Sequence, residues 1–435
     1  MSPIRKIHGR QVFDSRGRPT VEVEVCVSDG VRVRASVPSG ASTGTHEANE
    51  LRDGDETFFN GLGVLSAVEH VNGEIAAALE GHDVMDQVGC DALLRGLDGT
   101  PALSRLGANA VLGTSLAVCR ASAQVAGQPL HRRIADLAEV AEPSLPMPMV
   151  NILSGGLHAR HGMDIQDLLA IPIAATTTLE AIHLVSRVRD AATAVCAERG
   201  IPTLLADEGG LSPGCRTGRE ALELMLTSIE RAGLDPGRDV GIAIDVAANS
   251  LYDATSATYH LAREGRHAST QEMIDMVASW VDDFPILSVE DPLDEEDWRG
   301  WRQITELLSE RVRLIGDDLF TTNLARLRRG IDTASATGVL VKLNQNGTLT
   351  GTLEVVAAAR AAEYVPVVSA RSGETEDDLL ADLAVGTAAG QIKVGSVRSS
   401  ERLAKYNQLV RIAEDRNIPF STFPLPAHAS VGGAV

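Results

Sequence analysis

Two short segments near the N-terminus alternate between apolar and polar residues. They are residues 21–27, VEVEVCV, and residues 31–37, VRVRASV, and an SDG linker lies between them. Alternation at every second position is typical of a strand with one buried face, and Asp-Gly favours a tight turn. These segments therefore predict a β-hairpin. Helical periodicity follows near residues 65–79 and 109–125, so the first part of the chain is predicted to be α+β.

A proline-rich break, AEPSLPMP at residues 141–148, separates this region from the rest of the chain. Beyond it, a short apolar strand that ends in polar residues and is followed by a helix recurs along the chain. The predicted strand ends lie at residues 150–155, 204–208, 240–245, 286–291, 312–317, 338–344, 366–371 and 391–396. Alternating strands and helices predict a mainly parallel sheet, and so many units indicate a closed (β/α)8 barrel.

Composition and charge narrow the class of protein. The length predicts two domains, and a formal net charge of −20 argues against nucleic acid and anionic membranes as partners. The N-terminus has no apolar leader, and no run of 18 apolar residues occurs. The five cysteines are scattered without a CxxC pair, which argues against a disulfide framework or a zinc site. We therefore expect a reduced, cytoplasmic protein.

Three carboxylates stand at the ends of successive predicted strands. They are Asp245, Glu290 and Asp317, and the C-terminal strand ends of a barrel share one rim. Three close anions repel one another, and a divalent cation relieves that repulsion. Oxygen-only ligands favour Mg²⁺. The alternative for each single acid is a solvated strand end or a helix cap.

Two lysines, Lys342 and Lys393, stand among apolar residues of predicted strands. A lysine in that setting is costly unless it meets an anion, and its pKa can fall into the range of a useful base. The alternative is a lysine whose head group reaches solvent at the rim. A small hydroxyl-rich loop at residues 38–44, PSGASTG, is of the kind that closes over anions.

Ordered motifs run through the chain. They are DSRGRPT (14–20), PSGASTG (38–44), NELRDGD (49–55), GGLHA (155–159), DEGG, VEDPLDEEDW, GDDLF, VKLNQNG, RSGETEDD (371–378), DLAVGTAAGQIK (382–393) and AKYNQLVRI (404–412). With these motifs the chain resembles the enolase family over essentially its whole length. The resemblance implies an N-terminal α+β capping domain over residues 1–135, a TIM-type barrel with the active site over 143–426, and a flexible tail at 427–435. It also implies a homodimer or a higher homo-oligomer.

The resemblance implies a substrate and metal ions. The substrate is a small phosphorylated carboxylate, and two Mg²⁺ ions are expected in each active site. Asp245, Glu290 and Asp317 match the ligands of the tightly bound ion, and Ser42 matches a ligand of the second ion. A base together with Mg²⁺ ions is the general device of the enolase superfamily.

The resemblance also implies roles for residues that contact the substrate. Lys342 matches the base that removes the proton at C2, and Glu208 matches the acid that assists loss of the C3 hydroxyl. Asp167 matches the partner of Glu208, and His158 matches a loop histidine. The groups that match binders of the phosphate or the carboxylate are Arg371, Ser372 and Lys393.

The chain departs from the family pattern inside the predicted site. Enolases read SHRSGET where this chain has SARSGET, so Ala370 replaces a histidine. They read DIQEF where this chain has DIQDL, so Asp167 withdraws its carboxylate by up to about 1.5 Å. A misplacement of about 1 Å can cost a factor near 10² in rate. Arg160 and His161 are expected to add positive charge beside the pocket.

The changes are selective, because the metal ligands, the base and the phosphate-binding residues are kept. We therefore expect binding of 2-phosphoglycerate or a related enol acid, followed by different chemistry. Loss of the imidazole at Ala370 would admit a bulkier second substrate, such as an activated phosphonoformate, guided by Arg160 or His161. Enolase-like enzymes of phosphinate natural-product pathways make carboxyphosphonoenolpyruvate in this way. The alternatives are an ordinary phosphopyruvate hydratase and a weakly active or noncatalytic enolase-fold binding protein.

Overall fold

The N-terminal region contains a three-stranded antiparallel sheet. The structure, a computed structural model, describes residues 2–28, 30–41 and 44–423. The strands are β1 (Ile4–Phe13), β2 (Pro19–Val27) and β3 (Arg32–Ser36), in that spatial order. The predicted hairpin is β2–β3. Strand β1 was not predicted, because its sequence does not alternate in a simple pattern.

Helices cover one face of this sheet. They are α1 (Leu65–His70), α2 (Ala76–Leu79), α3 (Gln87–Asp98), α4 (Ala108–Ala126) and α5 (Leu130–Leu137), with a π-helical segment, Val71–Ile75, between α1 and α2. Helix α4 is buried over most of its length and is rich in small residues. A Cβ at Gly113 would lie 2.8 Å from a methyl carbon of Val23, so the glycine permits close packing of α4 on the sheet.

The second region is built around a closed eight-stranded barrel, so the predicted fold class is confirmed. Its strands are β4 (Met147–Ser154), β5 (Asp167–Ile171), β6 (Gly241–Asp245), β7 (Tyr252–Asp253), β8 (Thr258–Leu261), β9 (Arg266–Ala268), β10 (Ile286–Glu290), β11 (Arg313–Gly316), β12 (Gly338–Val341), β13 (Val365–Ser369) and β14 (Gln391–Gly395). Strands β7 to β9 form a small separate sheet, and the others close the barrel.

One predicted barrel strand is wrong. Residues 204–208 form a loop, and the place in the barrel belongs to β5, which is antiparallel to both β4 and β6. The sequence LLADE resembles a strand, but Leu204 is 66% exposed and Leu205 is 48% exposed. Strand β5 is buried throughout, as a barrel position requires. Glu208 therefore reaches the rim from a loop.

Helices surround the barrel. They are α6 (Thr178–Glu198), α7 (Gly218–Arg231), α8 (Thr270–Asp283), α9 (Trp298–Leu308), α10 (Leu324–Thr333), α11 (Leu343–Asn346), α12 (Leu349–Ala361), α13 (Leu379–Gly386) and α14 (Ser400–Ile412). Side chains cap several of them, and Ser269 forms a reciprocal capping box with Glu272 at the start of α8. Among the described residues, no helix is both long and apolar enough to cross a membrane.

The N-terminal region contacts the rim of the barrel. Ser39 and Gly373 exchange two backbone hydrogen bonds of 2.8 and 2.9 Å, so the segment that enters the predicted mobile loop lies beside the end of β13. A Cβ at Gly40 would lie 1.9 Å from Nη2 of Arg371, so only glycine fits this close approach. Ser42 and the predicted tail at 427–435 lie outside the described residues.

Candidate active site

Two of the predicted metal ligands converge on a lysine inside the rim. Lys393 of β14 donates from Nζ to Asp245 Oδ2 at 2.8 Å and to Glu290 at 2.9 and 2.7 Å. All three side chains are buried. Burial raises the pKa of Glu290 well above its usual range, and the charge on Asp245 adds to that rise. One lysine thus contacts two carboxylates that are removed from solvent.

The third predicted ligand lies beside the predicted base. Lys342 follows β12 directly, and its Nζ donates to Oδ2 of Asp317. Gln345 donates from Nε2 to the other oxygen of Asp317 at 2.9 Å. Thr322 fixes Gln345 by donating to its Oε1 at 2.7 Å, and it accepts from the backbone N–H of Lys342 at 2.9 Å.

The expectation of lowered lysine pKa values is wrong for this arrangement. Burial is the largest effect and opposes the charged form of Lys342, but the nearby carboxylates, Asp317 above all and Glu290, together raise its pKa. Burial likewise opposes the charged form of Lys393, and Asp245 and Glu290 raise its pKa well above the usual value. The apolar residues beside each lysine are visible in the sequence, but the ion pairs across the rim form only in the folded chain.

A second buried group consists of His158, Asp167 and Glu208. His158 Nδ1 lies 2.8 Å from Asp167 Oδ2, and its Nε2 lies 3.8 Å from Glu208 Oε1. Asn151 and Ser154 donate to the other oxygen of Asp167 at 2.6 and 2.8 Å. The shorter side chain of Asp167 thus reaches the histidine, and the histidine lies between the two carboxylates.

Burial and neighbouring charges together determine the protonation of His158, Asp167 and Glu208. Burial opposes the imidazolium form of His158, but the charges of Asp167 and Glu208 outweigh it and raise its pKa to about 9. Burial raises the pKa of Asp167. Burial also opposes the ionised form of Glu208, but His158 and more distant cations outweigh it and lower its pKa. A charged histidine at neutral pH and an ionised Glu208 follow from these directions.

The predicted phosphate-binding residues follow β13. The guanidinium of Arg371 donates to Glu47 at 2.8 Å and to Asn344 at 3.0 Å. Arg402 is fully buried and donates to the backbone carbonyls of Arg371 and Ser372 at 2.6 Å each. These bonds fix the backbone that carries both residues. The guanidinium of Arg371 is oriented by its own bonds to Glu47 and Asn344.

Ala370 lines the same cavity. The cavity is narrow, with a volume of about 10 Å³ for the centres of water-sized molecules. Its lining consists of Ala41, His158, Gln166, Glu208, Asp245, Lys342, Ser369, Ala370, Arg371, Ser372 and Lys393. Ala370 is 5% exposed, and its backbone N–H donates to the carbonyl of Lys393 at 2.8 Å. The methyl group therefore lines the same cavity as Arg371 and the two lysines.

Two predicted substrate-binding residues lie elsewhere. Arg160 and His161 are exposed, and neither belongs to the lining of the cavity. Both have positive φ values, 50° and 59°, which turn the loop away after a short 3-10 helix, Gly156–Ala159. Sequence adjacency to His158 suggested that they face the pocket. The left-handed turn separates them from it.

Several site residues were missed from the sequence. Gln166 lines the cavity and donates to Asp245 at 3.2 Å, while its buried Oε1 has no partner among the described residues. Asp291 accepts from the backbone N–H groups of Asp317 and Asp318 at 2.9 and 2.7 Å, which shapes the end of β11. The acids of VEDPLD and GDDLF were visible in the sequence, but their pairing across two strands was not. Glu47 was likewise visible in the sequence, but its pairing with Arg371 was not.

The acidic side chains fit a hard cation. Asp245, Glu290 and Asp317 present carboxylate oxygens at one rim, and burial together with the neighbouring charge on Asp245 raises the pKa of Glu290. The two lysines contact these acids, and the ligand atoms of the three acids do not form one compact group. Among the described residues, the compact groups with ligand atoms within 4.8 Å are His158, Asp167, Glu208 and Asp291, Asp317, Asp318.

Comparison with known families agrees with the fold. The family model described as the enolase N-terminal domain matches residues 4–134. The family model described as the enolase C-terminal TIM barrel domain matches residues 142–418. Together these matches cover nearly the whole chain, with the rim residues inside the second match. The chain belongs to the enolase family.

Proposed function

We propose that this enzyme of the enolase superfamily binds 2-phosphoglycerate or a related enol acid and forms an enolpyruvyl product. The reaction we favour resembles that of a carboxyphosphonoenolpyruvate synthase, with an activated phosphonoformate as the second substrate. One observation carries this choice. Lys342, Lys393 and Arg371 line a common cavity, while Ala370 supplies only a methyl group where ordinary enolases have histidine.

Enolase-family members bind Mg²⁺, and the residues of this chain fit that ion. Asp245, Glu290 and Asp317 would hold one ion, and Ser42 is the candidate ligand of a second. When bound, Mg²⁺ supplies positive charge that stabilises negative charge on the substrate carboxylate. Lys393 lies among the same acids and adds a second positive charge.

Lys342 is the proposed base for the proton at C2. It must be neutral to accept that proton, and the ion pair with Asp317 is what raises its pKa. Ligation of Asp317 by a cation would weaken this pair and so lower the pKa of the lysine. The buried setting then favours the neutral amine, because burial alone opposes the charged form.

The second substrate is proposed to enter beside Ala370. A methyl group there removes the hydrogen-bond capacity of an imidazole and is smaller than the ring, and Arg371 and Ser372 line the same cavity. Two anionic groups could share this side, because Arg371 is a permanent cation with several donors. Arg160 and His161 would act earlier, as exposed cationic groups on the approach to the cavity.

The test compares two reactions of the purified protein with Mg²⁺. With 2-phosphoglycerate alone, we expect slow formation of phosphoenolpyruvate, measured by its ultraviolet absorbance. With an activated phosphonoformate added, we expect a new phosphonate product in ³¹P NMR spectra. Rapid dehydration of 2-phosphoglycerate alone, without a new phosphonate, would contradict the synthase assignment.

Substitution of Ala370 sharpens this test. Ala370→His should increase dehydration and reduce formation of the phosphonate product, because it restores an imidazole and fills the space. Ala370→Val is the matched control, since it fills space without adding a hydrogen-bonding group. Equal effects of both variants would show that volume decides the reaction. An unchanged reaction in both variants would remove Ala370 from the explanation.

An ordinary enolase activity is the second candidate, and one observation favours it. His158 bridges Asp167 and Glu208, so the groups predicted to handle the C3 hydroxyl remain connected despite the shorter Asp167. This candidate predicts rapid dehydration in the first reaction above. A noncatalytic binding protein would show neither reaction, and a lack of Mg²⁺-dependent thermal stabilisation would favour that class.

Assembly and location remain predictions. We propose a homodimer or a higher homo-oligomer in the cytoplasm, without nucleic acid or membrane partners. The net charge of −20 supports the absence of nucleic acid and anionic membranes. Light scattering of the purified protein would measure the oligomeric state, and a monomer at micromolar concentration would contradict it.

A further inference from the structure

A small three-stranded sheet, β7 to β9, follows barrel strand β6 and lies outside the barrel. Its connection between β8 and β9 contacts the loop that leads to barrel strand β5. The backbone N–H of Arg263 donates to both oxygens of Asp164 at 3.0 and 3.1 Å, and that of Glu264 donates at 3.3 Å. The sheet thus connects the solvent-exposed surface with the segment that carries Gln166 and Asp167.

Two histidines face each other across this sheet. His260 of β8 and His267 of β9 are direct cross-strand partners, and both are exposed. Their ring centroids lie 4.7 Å apart with an interplanar angle of 10°. Across the described ranges 2–28, 30–41 and 44–423, neither imidazole forms an ion pair.

We propose that His260 and His267 form a binding site for a late divalent transition-metal ion such as Zn²⁺. Neutral imidazole is the commonest protein ligand for these ions, and it distinguishes the site from the oxygen-only rim that suits Mg²⁺. A Zn–N bond of about 2.0–2.1 Å requires two nitrogens roughly 3–4 Å apart. Side-chain rotation of two exposed, stacked rings can provide that separation, because the strands already hold them opposite each other.

A neighbouring hydroxyl supports the metal-binding form of one ring. Thr258 Oγ1 lies 3.4 Å from Nδ1 of His267, and Ser256 and Asp253 continue this chain of hydrogen bonds at 2.8 Å per step. When Nδ1 carries the proton and donates to Thr258, Nε2 keeps a free lone pair. Metal-binding histidines usually make such a bond with the second ring nitrogen.

Calorimetric titration with Zn²⁺ in excess Mg²⁺ tests the site. The wild-type protein should bind one more equivalent of Zn²⁺ than His260→Asn or His267→Asn. The matched control is His183→Asn, which removes an exposed histidine of α6 and should retain the full stoichiometry. Zn²⁺ that binds at the rim acids is common to all four proteins and does not affect the difference. Equal stoichiometry and affinity in all four proteins would overturn the assignment.

Thermal unfolding provides a second, independent measurement. Zn²⁺ bound to both strands should raise the unfolding midpoint of the wild-type protein, and this shift should be lost in either variant. Both positions are exposed, so the variants should fold normally and show the wild-type midpoint without Zn²⁺. A Zn²⁺-dependent shift that persists in the double variant His260→Asn, His267→Asn would place the ion elsewhere and overturn the proposal.

Discussion

The two ends of the barrel differ in almost every physical property. At the rim, buried charges face one another, and the single side chain of Lys393 contacts two carboxylates. At the opposite end, the interior is filled by apolar side chains. They are Met147, Met149, Leu169, Ile171, Ala243, Leu287, Ile315, Leu340, Val367 and Phe423. The same eight strands therefore support an apolar core at one end and a charged pocket at the other.

This difference separates stability from chemistry. Burial of one large apolar side chain stabilises a fold by about 1.5–3 kcal/mol, whereas a buried charge costs free energy unless it is paired. Arg313 shows that cost at the apolar end, where burial lowers its pKa to about 10. It hydrogen-bonds Gln391 and stacks on Phe423, with its Cζ 4.1 Å from the ring centroid. We expect the apolar end to determine stability and the rim to determine turnover.

Replacement of the proposed base should give the largest effect. Lys342→Ala should lower turnover by about 10²–10⁴-fold, because a positioned base contributes that much to a proton transfer. Steady-state kinetics of whichever reaction the protein performs would measure the loss. Lys6→Ala, at an exposed position of β1, is the control and should keep full turnover. Near-normal turnover in Lys342→Ala would show that another group removes the proton.

Truncation of a side chain at the apolar end should lower stability and leave turnover nearly unchanged. Ile171→Ala should lower the free energy of unfolding by about 2–5 kcal/mol, because Ile171 is fully buried and its loss leaves a cavity. Turnover per folded molecule should stay near the wild-type value. Chemical denaturation and kinetics on the same sample would measure both quantities. Leu179→Ala is the control, since Leu179 is 65% exposed. A large loss of turnover with unchanged stability would erase the distinction between the ends.

The histidine at the rim should make stability depend on pH. Because the folded pKa of His158 is raised from 6.5 to about 9, its contribution is fully present below about pH 6.5 and is lost as the pH rises through 9. The shift corresponds to a contribution on the order of 3 kcal/mol. Denaturation curves of wild type and His158→Asn at several pH values would reveal it. A stability difference that stays constant from pH 6 to about pH 10 would contradict this assignment.

A helix cap away from both ends should give the smallest effect. Ser269→Ala removes the capping box of α8 and should cost about 1 kcal/mol of unfolding free energy. Turnover should not change, which would show that a modest loss of stability does not by itself reduce catalysis. Ser269→Asp is the conservative control, because aspartate also caps helices. A marked fall in turnover for Ser269→Ala would weaken the separation drawn between the two ends.

Much of the barrel could be predicted because buried parallel strands leave a clear apolar pattern. Strands β6 and β10 each end in an acid, and β11 ends in a glycine that an acid follows. This pattern predicted that Asp245, Glu290 and Asp317 lie at one rim. Strand β5 escaped prediction, because its sequence DLLAI is as short and apolar as the LLADE loop. Only burial distinguishes them, and burial is a property of the folded chain.

The chemistry of single residues was less accessible to sequence reasoning. The raised pKa of Lys342 depends on contact with Asp317, which lies 25 positions away along the chain. The positions of Arg160 and His161 depend on two left-handed backbone conformations. Gln166 belongs to the lining, but a glutamine has no charge or periodicity that marks it in a sequence. Motifs thus identified the residues better than their protonation or orientation.

The reversed direction of β5 has a consequence for how this barrel can diversify. Strands β4 and β5 run antiparallel, so one connection of twelve residues, 155–166, lies between them. This connection contains His158 and Gln166, and Asp167 is the first residue after it. The two lysines and the acids Asp245, Glu290 and Asp317 belong to other strands or follow them directly. Exchange of a single connection could therefore replace His158 and Gln166 and leave the two lysines and the three acids of the other strands in place. Such modularity offers a route by which new reactions arise on an old scaffold.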